Sequence, residues 1–138
     1  MKELKIETGL VEYNLGGKVT VEFSPTDMNF VEKAINALMR GLKKQDDIEA
    51  EIKETDPESI FEYARSRDKE MRELVNDLFG KDVCTPLFGT MNTFARDKGL
   101  PLWCNVIMAV VDECVDNLPD EGKACKARIE KYTNKYHR

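Results

Sequence analysis

Cysteine, histidine and acidic side chains are the groups through which a small chain holds a metal or performs nucleophilic and acid–base chemistry. Four cysteines, Cys84, Cys104, Cys114 and Cys125, stand 20, 10 and 11 residues apart, and the single histidine is His137. Zinc and redox sites bring two ligands into one turn, as in CxxC, and no such pair occurs. Cys104, Cys114 and Cys125 fall in apolar-periodic segments, where a free thiol behaves as a small buried hydrophobe. All four are expected to be reduced and unmetallated. A serine or cysteine nucleophile commonly needs a histidine base, and His137 lies one residue from the end of the sequence. GxSxG, GxGxxG and GxxxxGK[ST] are absent. Gly16-Gly17 precedes no helical segment and so cannot cradle a phosphate at a helix start. No cofactor and no catalytic residue is expected.

Paired carboxylates are the remaining chemistry. Asp112 and Asp116 are four residues apart on an apolar-periodic segment and share a helix face, with Glu113 beside them. Two acids at that spacing suit a divalent cation or an acid–base pair, which would make the chain a metal-dependent enzyme. The plainer reading is the polar side of an amphipathic helix, because Val106, Val110 and Cys114 fall on the other side. From Lys123 to Arg138 six bases accompany one acid, Glu130. A basic amphipathic helix can meet an acidic surface, but Cys125, Ile129, Tyr132 and Tyr136 at core spacing favour a docking helix whose lysines face water.

The whole chain has 138 residues, 26 acids and 21 bases, for a net charge of −5. That balance disfavours broad contact with nucleic acid or anionic lipid. No apolar run approaches the ~20 residues that span a bilayer, and the opening MKELKIET lacks the apolar segment of a signal peptide. A cytoplasmic protein with no nucleic-acid or membrane partner is expected. The length suits one domain, residues 1–138, and the 41% apolar content is enough for a core.

Which elements would position these residues follows from periodicity. Val11, Tyr13 and Leu15 alternate with polar residues, and so do Val19, Val21 and Phe23, predicting a hairpin over residues 1–23. A two-residue Gly-Gly loop would put the two apolar sets on opposite faces. A three-residue loop with one glycine at positive φ puts them on one face. Leu4 and Ile6 suggest a third short strand, broken at Thr8-Gly9. Helices follow over 24–118. The first carries Phe30 or Val31, Ala34, Ile35, Leu38, Met39 and Leu42, with Gly41 as a point of weakness; Ile48 and Ile52 leave its end open. The second opens at Thr55-Asp56-Pro57-Glu58, carries Ile60, Phe61, Ala64, Met71, Leu74, Val75, Leu78 and Phe79, and stops at Gly80. Its charged middle, from Arg65 to Glu73, reads as a solvated face. A third helix from Thr85-Pro86 to Gly99 contains Gly89. A fourth, from Pro101 to Pro119, is nearly half apolar and should be the core, and a basic last helix occupies 119–138. The fold class is α+β: a small N-terminal antiparallel hairpin or sheet followed by a four- to five-helix bundle, mainly α.

The helix ends carry a resemblance. Asp77-Leu78-Phe79-Gly80 within LVNDLFG, Leu87-Phe88-Gly89 with Met91-Asn92, the segment from Trp103 to Val111, and Phe23 with Thr26-Asp27 resemble the small tail-assembly chaperones of long-tailed bacteriophages and of prophages of Gram-positive hosts. The resemblance spans Val19 to Leu118; the basic tail after Gly122 has no counterpart in it. It implies a role without catalysis, in which the chain binds and solubilises the long helical tape-measure protein until the tail tube polymerises. Self-association along that partner is compatible with it. A prophage-encoded adaptor or regulator with another protein partner would share these features. The expected partner surface is Phe79, Leu87, Phe88, Met91 and Phe94, since apolar residues on a short glycine-interrupted helix are hard to bury completely.

Overall fold

The computed structural model describes residues 1–52, 56–118, 126–127, 129–131 and 134. Strands β1 (Val11–Leu15) and β2 (Val19–Phe23) pair antiparallel, with Leu15 opposite Val19, Tyr13 opposite Val21 and Val11 opposite Phe23. The loop is therefore the three residues Gly16-Gly17-Lys18, as the parity of the apolar pattern requires. Two glycines rather than one take positive φ, +60° and +73°. The Lys18 N–H closes the turn on the Leu15 carbonyl at 3.0 Å. The apolar face meets the helices through aromatic rings. Tyr13 stacks on Phe23 with centroids 4.3 Å apart, and Phe23 meets Phe30 edge-on at 4.5 Å.

The third strand expected at Leu4 and Ile6 does not form. Residues 1–10 carry no strand, and these two side chains are 77% and 74% exposed. The reason lies in Thr8-Gly9. A two-residue hairpin loop needs positive φ at both positions or glycine at the first, and here a β-branched threonine stands first. Gly9 instead, at φ +73°, runs on against Ser24.

Helix α1 (Met28–Ile52) starts where Asp27 accepts the Asn29 N–H at 3.0 Å, and it continues unbroken for 25 residues. Gly41 is not a weakness in it. The Trp103 indole lies on the glycine, in space that any side chain would occupy. Helix α2 (Pro57–Phe79) follows its signals: Asp56 caps it by accepting the Ser59 N–H at 3.0 Å, and Gly80 ends it in the left-handed conformation. Thr55 lies outside the described residues. Met71, Leu74, Val75 and Leu78 are buried, whereas Phe61 is 67% exposed and takes no part in the core.

Helix α3 is only Cys84–Phe88, not the longer helix to Gly99 that the spacing predicts. Gly89 stops it by adopting φ +58°, ψ −122°, a region closed to residues with a Cβ. The rest turns into a small hairpin of β3 (Arg96–Asp97) and β4 (Leu100–Pro101), reversed at Lys98 and Gly99, both at positive φ. Helix α4 (Leu102–Asp116) is the core element. Trp103, Cys104, Ile107, Val110, Val111, Cys114 and Val115 are all buried on it, and it packs against both α1 and α2. In the C-terminal stretch, residues 126–127 and 129–131 are helical and Ile129 is buried. Cys125, Tyr132 and Tyr136 of the expected stripe lie outside the described residues.

Candidate partner-binding surface

The end of α2 builds the segment that follows it. The Asn76 side-chain carbonyl accepts the N–H groups of Val83 (2.9 Å) and Cys84 (3.1 Å), and its amide donates to Asp82 Oδ1 at 3.2 Å. Asp82 Oδ1 also accepts the Thr85 N–H at 3.1 Å. Hydrogen bonds from Thr85 to Asp82 hold that carboxyl below its ordinary range. The start of α3 is thus capped twice, by Asn76 from α2 and by Asp82 from the connecting loop.

The following loop is stapled to the middle of α2. Arg72 Nη2 donates to the carbonyls of Gly89 (2.9 Å) and Met91 (2.6 Å), while its Nε donates to Asp68 Oδ2 at 3.1 Å. The other Asp68 oxygen accepts both the backbone N–H and the hydroxyl of Thr93, at 2.7 and 2.8 Å. Thr93 is fully buried, and its carbonyl accepts the Trp103 N–H at 3.1 Å. The charged middle of α2 is therefore not wholly a solvated face. Asp68 and Arg72, each with a side chain 19% exposed, fasten residues 89–93 between α2 and the start of α4. Charge-assisted bonds to a loop backbone of this kind are the stronger class.

On this frame Leu87, Phe88 and Phe94 are half-buried against the core, and Met91 is 55% exposed. Leu87 lies beside the hairpin turn, its Cδ2 3.5 Å from where a Cβ on Gly16 would stand. Phe79 belongs elsewhere. It lines a separate hollow of about 340 Å³ with Leu10, Phe23, Phe30 and Leu78. That hollow shares Asn29, Lys33 and Leu78 with a trough of about 520 Å³ between α1 and α2. Four of the five expected surface residues thus fall within one short segment, and the fifth lies in another groove.

The acidic pair takes a different setting. Asp112 and Asp116 are both exposed on α4, and Asp116 Oδ1 lies 3.8 Å from Lys126 Nζ. Desolvation raises the Asp112 carboxyl above its ordinary value, with Lys126 opposing. Among the described residues no three His, Cys, Asp or Glu side chains gather as metal ligands would. The acid that sequence reasoning left aside, Glu113, has the specific partner: it accepts the Tyr13 hydroxyl at 2.7 Å. The two border a hollow of about 230 Å³ with Asn14, Leu15, Phe23, Ala109 and Val110. Burial first, and the Glu113 carboxylate second, push the Tyr13 phenol up to about 12. Nothing in residue spacing pairs Tyr13 with an acid 100 positions away.

Cys84 and Cys104 are free thiols, and both are buried, as is Cys114; Cys125 and His137 lie outside the described residues. Burial pushes the Cys84 thiol up to about 11 and the Cys104 thiol up to about 12, against an ordinary value of 9.0. A group whose pKa is raised on folding keeps its proton longer in the native state, so stability is full below the unfolded value and declines above it. The melting temperature should therefore fall as pH rises from 9 towards 11 or 12. At pH 8, Cys84 and Cys104 should resist alkylation until denaturant is added. Peptide mapping that finds Cys104 modified in the native protein would contradict its burial.

Comparison with known proteins adds no relationship to this geometry: no family model, curated protein or solved structure matches the chain.

Proposed function

We propose that the protein is a non-enzymatic chaperone that grips an amphipathic helix of a long partner, the tape-measure protein of a phage or prophage tail, in the host cytoplasm. The observation that carries this reading is the segment 87–94: exposed Met91 flanked by half-buried Leu87, Phe88 and Phe94 on a loop fastened by Arg72 and Asp68. Methionine is unbranched and adaptable, so such a surface accepts helices in different registers. A fixed backbone beneath it lowers the ordering cost of binding. The choice of partner rests on the resemblance of the helix ends to those of tail-assembly chaperones.

Co-expression with the long helix-rich protein encoded beside it tests the reading. The parent chain should keep that partner soluble. Phe88→Ser should fold, as judged by an unchanged far-UV spectrum and a cooperative melt, yet leave the partner in the pellet. A soluble complex that survives Phe88→Ser would remove the site. A partner that stays soluble without the chain would remove the function.

A further inference from the structure

The hairpin has one edge in use and one open. Lys81 Nζ donates to the Thr20 carbonyl at 2.8 Å, so this carbonyl points away from β1. By the alternation of an antiparallel ladder, the backbone groups of Asn14, opposite Thr20, and of Glu12 point outward from the other edge. No further strand pairs with β1 among the described residues. Ahead of β1 the sequence carries a short run with the alternation of a strand, which joins no sheet in the single chain. In residues 3–7, Leu4 and Ile6 alternate with Glu3, Lys5 and Glu7, and both apolar side chains are exposed. The same chain cannot readily return to β1, since Thr8-Gly9 has the wrong order for a tight hairpin loop.

We infer that residues 3–7 of one copy add as a strand to the free β1 edge of a second copy, and that the exchange is reciprocal. Charge selects the register. Glu12 and Glu22 stand directly opposite each other on the outer face of the hairpin, an unfavourable like-charge pair. When Leu4 and Ile6 face the apolar side, Lys5 projects on the outer side and lies beside Glu12. In that register Leu4 and Ile6 extend the apolar face over Tyr13 and over Val11, which is 41% exposed in the single chain. The ion pair of Lys5 with Glu7, at 3.7 Å and almost fully exposed, holds Lys5 only weakly and leaves it free to exchange. Backbone pairing gives such an added strand its affinity, and alternate side chains give its register. The inference does not depend on the partner proposed above.

Sedimentation velocity of the full chain over a concentration series tests it. A dimer is expected, and Leu4→Lys with Ile6→Lys should weaken it at least about tenfold while leaving the melt of the domain unchanged. Lys5→Glu should weaken it as well, and adding Glu12→Lys should restore it. Mixing Lys5→Cys with Glu12→Cys chains under mild oxidation should give a disulfide between the two different variants. A monomer at every concentration, or a dimer indifferent to both arm variants, would overturn the inference. So would a Lys5→Cys, Glu12→Cys double variant that closes its disulfide within one chain, since the arm would then fold back on its own strand.

Discussion

Gly41→Ala should lower the melting temperature by several degrees, although helix propensity alone argues the reverse. Exchanging an interior helical glycine for alanine ordinarily stabilises by up to ~1 kcal/mol. Here the new methyl would stand 2.5 Å from Trp103 Cη2 and 2.9 Å from Cε3, and nearer still to Cζ3. The indole has no room to yield. Trp103 is fully buried, and its Nε1 donates to the buried Gln45 side chain at 3.4 Å. Overpacking of this kind costs ~1–3 kcal/mol, which exceeds the propensity gain. Trp103 is the only tryptophan, so near-UV circular dichroism and fluorescence report on the displaced ring directly. A variant as stable as the parent, with an unchanged tryptophan spectrum, would show that α1 and α4 do not meet at this point.

Asp68→Ala should cost about 3 kcal/mol, because it strands two groups at once. Thr93 loses the acceptor for both its N–H and its hydroxyl at a fully buried position, and Arg72 loses the carboxylate that its Nε meets. Asp68→Asn retains an acceptor oxygen and should cost less. The contrast is Glu70, which meets Lys44 and Arg67 with a side chain 38% exposed. Exposed pairs contribute little, so Glu70→Ala should be close to neutral. Urea unfolding of the three variants measures the ordering. Equal losses at Asp68 and Glu70 would mean that the loop is not fastened as described.

These two positions also show where sequence reasoning stops. Parity alone determined the hairpin loop, because a one-residue slip sends every apolar side chain to the wrong face. Asp56-Pro57 and Gly80 marked the ends of α2 because caps act through residues three or four places away. The core face of α4 was visible for the same reason: its periodicity is local. Gly41 is different. A glycine in a helix looks alike in sequence whether it loosens the turn or seats an indole from 62 residues further on, and only the packed partner decides. Asp68 and Arg72 are disguised in the same way, as one more i,i+4 pair within a charged run.

The end of α3 was misplaced because Leu87, Phe88, Met91 and Phe94 keep helical spacing across a break. Gly89 interrupts that spacing through its backbone angles, which a sequence does not state. The same break sets where the residues of the expected surface fall. Residues 87–94 do lie together, held by α2, while Phe79 faces a groove shared with the hairpin. The carboxylate with a specific partner was Glu113 rather than Asp112 or Asp116, since its phenol comes from the other end of the chain.

Hydrogen exchange followed by mass spectrometry, on the chain alone and in complex with a helical segment of the proposed tape-measure partner, tests the central claim most directly. Amide protection reports where backbone opening is suppressed, so a docked helix should slow exchange at its own footprint. Added protection is expected in peptides covering residues 84–95, centred on Met91, with peptides from the buried middle of α4 unchanged. Protection confined to the exposed acidic side of α4, around Asp112 and Asp116, or no change anywhere at saturating partner, would contradict it.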